Sequence, residues 1–232
     1  MPSRFQPLLL LMATVALLLP RSVHATPDVA PEFAATPWRA LGRVQTELGT
    51  RCTGFLIAPA LVMTAAHCLY RPVTGHYVQP NSVHFLLRYD HGRFAGHATA
   101  ITFVISPGYD PTEELSSLGL DRAFLTLDHA VGTEADTVRF APTLPPRGAT
   151  IATGGYNRDH DEVLEIGTCH LLGYRADLGG HRLIQDDCPG EPGSSGAALF
   201  AQQPDGSWAV IGMAVARTGR NGRHGLAEPL AP

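Results

Sequence analysis

The chain has 232 residues, 17 Lys and Arg against 21 Asp and Glu, a formal net charge of −4 and 44% hydrophobic residues. That balance carries no electrostatic footprint for nucleic acid or for an anionic membrane surface. Glycine and proline are frequent, at 24 and 19 residues, which suits many short strands joined by turns.

Arg4 precedes an apolar run from Leu8 to Leu19, and Val23-His24-Ala25 follows with small residues at both cleavage-site positions. Residues 1–25 therefore read as a secretory signal peptide cut after Ala25. The run is shorter than the about 20 residues a membrane-spanning helix needs. No later segment is apolar enough to span, so an exported, soluble and monomeric protein is expected, extracellular or periplasmic. Residues 26–37, rich in Pro, Ala and Thr, read as an extended leader or short propeptide.

Short apolar runs separated by turn residues begin after Trp38. Expected strands are Arg43–Glu47, Cys52–Ile57, Leu61–Thr64, Val83–Tyr89, Ala98–Ile105 and Ala123–Leu127, each rich in Val, Ile, Phe or Thr. Ala65–Leu69 reads as one helical turn. The stretch His129–Arg147 holds Pro142, Pro145 and Pro146 and reads as a linker. Strands resume at Thr150–Gly155, Glu162–Leu172, Arg182–Gln185, Ala197–Phe200 and Trp208–Ala216, with Pro204-Asp205-Gly206 as a turn. Two clusters of evenly spaced strands predict an all-β protein of two antiparallel barrels, at residues 38–128 and 148–232.

Four cysteines in an exported chain imply two disulfides. Sequence alone leaves three connectivities. The local one, Cys52 with Cys68 and Cys169 with Cys188, closes two short loops, each contributing about 3 kcal/mol by loop entropy. No CxxC spacing supports a zinc site, and Asp159-His160-Asp161-Glu162 reads as a solvated acidic loop rather than a calcium site. No metal or cofactor is expected. His170 and His181 read as surface residues.

A hydroxyl is a poor nucleophile at neutral pH and needs a neighbouring base. Histidine suits that role, and a buried carboxylate usually holds it in one tautomer. Three stretches supply these types in order. Thr64-Ala65-Ala66-His67-Cys68 offers the base, Asp121 directly precedes the apolar run Ala123–Leu127, and Pro192-Gly193-Ser194-Ser195-Gly196 offers a glycine-flanked serine.

These motifs resemble those of the trypsin-like (chymotrypsin-fold) serine peptidases, from about Trp38 to Ala216. The histidine signature matches Thr64–Cys68, with Cys52-Thr53-Gly54 matching its partner cysteine. The aspartate signature is similar to Asp121–Leu125 and the serine signature to Gly193–Gly196. The resemblance implies two six-stranded barrels with the active site in the cleft between them. It implies Ser195 as nucleophile, His67 as base, Asp121 as the group orienting His67, and the N–H groups of Gly193 and Ser195 as the oxyanion hole. Substrates would be proteins or peptides.

The family's cleavage-activated members carry an aspartate where Ser194 stands, and an Ile-Val-Gly-Gly start that is missing here. Ala197-Ala198 replaces a frequent Gly-Pro. These departures resemble the bacterial, glutamyl-endopeptidase-like branch. The resemblance places the specificity pocket at Pro189, Gly190, Val215 and Arg217. Pro189 and Gly190 provide no acidic floor, which argues against Lys or Arg in the pocket. Arg217 and His224 are the groups able to attract an acidic substrate side chain, unless Arg217 is simply exposed at a strand end. A catalytically silent binding homologue and a lipase or esterase are the competing functions. All three catalytic positions are filled, and too little chain follows Ser195 for the acid and histidine a lipase needs.

Overall fold

The computed structural model describes residue 1 and residues 35–158, 163–190, 192–219 and 222–231. All but the first residue of the expected signal peptide, nearly all of the leader and the acidic loop 159–162 lie outside them.

The first barrel is built from β1 (Leu41–Thr46), β2 (Arg51–Ala58), β3 (Leu61–Thr64), β6 (Val83–Leu87), β7 (Gly96–Ile105) and β8 (Ala123–Leu127). It closes in the order β1-β2-β3-β8-β7-β6, and every pairing is antiparallel. A two-stranded ribbon, β4 (Tyr70–Arg71) with β5 (His76–Tyr77), stands outside it. The second barrel comprises β9 (Thr150–Gly155), β10 (Glu165–Ala176), β11 (Arg182–Asp186), β12 (Ala198–Gln202), β13 (Trp208–Thr218) and β14 (His224–Pro229). It closes as β10-β11-β14-β13-β12-β9. The expectation of two six-stranded antiparallel barrels is met.

Alternation places the core. In β8, Ala123, Leu125 and Leu127 point inward, while Phe124 and Thr126 are half-buried. The barrels share one core, since a single apolar cluster joins Phe55, Phe85 and Leu125 of the first to Tyr156, Phe200 and Val210 of the second. Burying such side chains contributes about 1.5–3 kcal/mol each. A second cluster around Ile151, Leu171, Ile184 and Ile211 fills the rest of the second barrel.

β14 and β10 depart from the sequence reading. β14 was not expected, because His224-Gly-Leu-Ala-Glu-Pro carries no apolar run; pairing with both β11 and β13 holds it in place. β10 runs on to Ala176, past a register shift between Leu171 and Gly173. Residues 129–147, expected as a linker, make anchoring contacts. Asp136 there is buried against Arg39 at 2.9 Å and Arg88 at 3.6 Å, and the N–H of Ala141 donates to the carbonyl of Val210.

Candidate active site

Strand register brings His67 to Asp121. β3 and β8 are antiparallel neighbours with Thr64 opposite Ala123. The residues just after Thr64 therefore lie beside those just before Ala123. His67 sits on a 3-10 turn, Ala66–Leu69, and the Cys52–Cys68 disulfide ties that turn to β2. The result is a double contact. Asp121 Oδ2 lies 2.6 Å from His67 Nδ1, and Asp121 Oδ1 accepts from the His67 backbone N–H at 2.9 Å.

Asp121 is fully buried, while the His67 side chain keeps 27% of its surface exposed. Burial by itself lowers the imidazole pKa. The hydrogen bond and charge of Asp121, with Glu114 adding to them, outweigh it and raise the pKa above the ordinary 6.5. The Asp121 contact also leaves Nε2 as the ring nitrogen available for proton exchange.

Ser195 reaches the same place from the second barrel. Thr53 on β2 is the hinge of the contact. Its N–H donates to the Ser195 carbonyl at 2.8 Å, its hydroxyl donates to the Gly193 carbonyl at 3.1 Å, and that hydroxyl accepts from the Tyr156 N–H at 2.9 Å. Gly196 donates to Ala214 of β13 at 2.8 Å. A side chain at Gly196 would place Cβ 2.1 Å from the Thr53 carbonyl and 2.6 Å from Thr64 Oγ1, in a backbone with φ of +83°. Gly193 has φ of +110°, and a Cβ there would run into the Tyr156 carbonyl.

Among the described residues, the N–H groups of Gly193 and Ser195 donate to no backbone carbonyl. No direct hydrogen bond joins His67 to Ser195 among them either, a looseness common in substrate-free sites.

Ser195 opens onto a cavity of about 700 Å³. Pro189, Gly190, Val215 and Arg217 all line it, whereas His224 does not. Arg217 is not a free exposed arginine. Its Nε donates to the Gly222 carbonyl at 2.7 Å, and both terminal nitrogens donate to the Cys188 carbonyl at 3.1 Å. The second disulfide, Cys169–Cys188, fixes that carbonyl to β10. Both disulfides follow the local connectivity.

The family model for the trypsin-like peptidase domain matches residues 52–213. The chain belongs to the trypsin-like peptidase family. It is by class a serine endopeptidase, acting on protein or peptide substrates. Solved structures of similar fold include a Glu endopeptidase in complex with MPD, with TM-score 0.71 and 20% identity, covering 86% of this chain and 88% of that one. A thermostable serine protease from an extremophilic microorganism has TM-score 0.63 and 22% identity, over 83% and 92% of the two chains. Protease Anisep from Arthrobacter nicotinovorans has TM-score 0.63 and 20% identity, over 84% and 91%. At these identities the likeness shows the fold of the trypsin-like peptidase.

The fold adds groups to this peptidase's site that sequence reasoning passed over. Asp186, at the end of β11, lines the cavity with 2% of its surface exposed, so the cavity does hold a carboxyl. Burial pushes that carboxyl up to about 6, against the pull of the Cys188 N–H and Arg217. The buried Tyr109 hydroxyl makes no ordinary hydrogen bond; burial and the Asp121 charge both push its pKa upward. Glu228 of β14 pairs across the barrel interface with Arg122 at 3.2 Å, beside Asp121. His181 has partners after all, in Asp177 and the Ser116 carbonyl at 3.1 Å each. His170 is exposed beside Asp187, as a surface residue should be. No helix among the described residues is long and apolar enough to cross a membrane.

Proposed function

We propose that the protein is a secreted serine endopeptidase that cleaves peptide bonds through His67, Asp121 and Ser195. The supporting observation is the paired contact of buried Asp121 with His67, set beside the Ser195 turn by Thr53 and Gly196. Ser195 Oγ attacks the scissile carbonyl carbon while His67 Nε2 takes the hydroxyl proton. The carbonyl oxygen becomes an oxyanion and accepts from the N–H groups of Gly193 and Ser195. Each donor of that kind is worth about 10²–10³ in turnover. The C–N bond breaks as His67 returns the proton to the leaving amine, and the acyl group stays on Ser195. A water, deprotonated by His67, then releases the acid. Asp121 keeps Nδ1 protonated and stabilises the imidazolium throughout.

The cavity beside Ser195 is assigned to the substrate side chain that precedes the cut. Arg217 is more exposed there than Asp186, so an entering side chain meets the guanidinium first. Its hydrogen-bond partners are carbonyls, which leave its positive charge in place, and burial holds the nearby Asp186 carboxyl toward its neutral form, which favours an acidic side chain. Cleavage of a peptide library that shows no enrichment of Glu or Asp before the cut would overturn the assignment. Export is proposed from residues 1–25 and from the two disulfides; N-terminal sequencing of secreted protein would show whether residues 26–37 are removed.

A fluorophosphonate probe tests the mechanism. The expected result is one adduct, mapped to Ser195 and lost in His67→Ala. Folded protein that takes no label would point instead to a silent binding homologue, and labelled protein that cleaves esters but not peptides to an esterase.

A further inference from the structure

Away from the active site, the outer face of the first barrel carries two histidines in contact. β6 and β7 pair with His84 opposite Thr99 and Leu86 opposite His97. Side chains at 84 and 97 are thus diagonal neighbours on the same face, and the inward positions Phe85 and Ala98 belong to the core. His84 Nδ1 lies 3.1 Å from His97 Nε2, with the rings 5.2 Å apart. At that separation at least one nitrogen is an unprotonated acceptor, so a lone pair points into the gap.

We propose that His84 Nδ1 and His97 Nε2 form a surface site for one divalent borderline cation, Zn²⁺ first among them. Zinc–imidazole bonds are about 2.0–2.1 Å long, so nitrogens 3.1 Å apart subtend about 100° at the metal. That angle lies between the octahedral and tetrahedral values and needs no movement of either strand. The surroundings suit a ligand pair. Glu47 Oε1 lies 3.8 Å from His84 Nε2, the place where metal-binding histidines ordinarily find an orienting carboxylate. Thr99 Oγ1 is 3.4 Å from His84 Nδ1, and Phe94 packs on the His97 ring at 5.6 Å. Each ring therefore has a neighbour beside it before the metal arrives, and a small rotation turns both lone pairs toward the ion. Asp128, which accepts from the Thr99 N–H at 3.2 Å, adds negative charge nearby. Water completes the coordination shell on the exposed side, as His97 is open to solvent.

Zinc has a competing destination, because ligand atoms of His67, Glu114 and Asp121 lie within 4.8 Å of one another. The test separates the two. Zinc chloride is titrated into the secreted protein against a chromophoric chelator, alongside His84→Ala, His97→Ala, Glu47→Gln and His67→Ala. One equivalent should bind the wild type and His67→Ala alike. Affinity should fall at least tenfold in His97→Ala and in His84→Ala, and about tenfold in Glu47→Gln. Peptidase activity in the two surface histidine variants, measured without zinc, should equal that of the wild type and confirms that they are folded. Equal zinc affinity in wild type, His84→Ala and His97→Ala would overturn the proposal. So would binding that disappears in His67→Ala, or no saturation below millimolar zinc.

Discussion

At the scale of single residues, the arrangement around His67 sets a pH dependence. Asp121 raises the imidazole pKa above 6.5 against the effect of burial. As the proposed base, His67 works only when unprotonated, so the acid limb of kcat/KM should have its midpoint above 6.5 and activity should rise as pH rises through it. Asp121→Asn removes the charge and offers an amide N–H donor or a neutral carbonyl to Nδ1. The expected outcome is a limb displaced to lower pH and turnover reduced by about 10⁴ through the wrong tautomer. Circular dichroism should match the wild type. An unmoved limb would mean that another group governs it.

The same residues show what a one-dimensional reading reaches. His67, Asp121 and Ser195 lie in local patterns, each visible within a few positions of itself. Asp186 and Tyr109 do not. Asp186 becomes a cavity group only because β11 ends at the cavity wall, and Tyr109 comes within electrostatic reach of Asp121 only in the folded chain. Neither contact has a signature in neighbouring residues.

Among the elements, strands with alternating Val, Ile, Phe and Leu were legible. Leu61–Thr64 and Ala123–Leu127 match the observed limits. β14 and the β4–β5 ribbon were not, since glycine, proline and polar residues mask strands whose pairing comes from partners. Hydrogen bonding between distant elements is equally hidden, and Thr53 on β2 illustrates its weight. Thr53→Val keeps the shape but removes the hydroxyl that donates to Gly193 and accepts from Tyr156. The Tyr156 N–H would be left buried and unpaired, which costs about 1–3 kcal/mol. The Gly193 carbonyl would also lose its tether, so the proposed oxyanion donors lose alignment. The expected result is a lower unfolding free energy together with reduced kcat at nearly unchanged KM. A variant that loses stability and keeps full kcat would confine Thr53 to a structural role.

Across the whole molecule, the two barrels meet through one continuous core and a few polar ties. The Tyr156 hydroxyl donates to the Tyr89 carbonyl at 3.0 Å, and the Arg122–Glu228 pair crosses the interface beside Asp121. That pair is only half-satisfied, because Arg122 Nε and Glu228 Oε2 are buried without partners. Burial pushes the Glu228 carboxyl up to about 8, with Arg122 opposing and Asp121 reinforcing the shift. A carboxyl whose folded pKa lies above its unfolded value binds its proton more tightly in the folded state. Its stabilising effect is complete below about 4.5 and is lost as pH rises through about 8. At about 1.4 kcal/mol per unit, this group alone makes the protein lose on the order of 5 kcal/mol across that window. Glu228→Gln stays neutral and keeps an amide oxygen to accept from Arg122. Urea unfolding at pH 5 and pH 8 should show a drop in wild-type stability that the variant largely lacks, with the variant more stable at pH 8. Equal drops in both would show that Glu228 is already ionised at pH 5, and that Arg122 outweighs burial at the barrel interface.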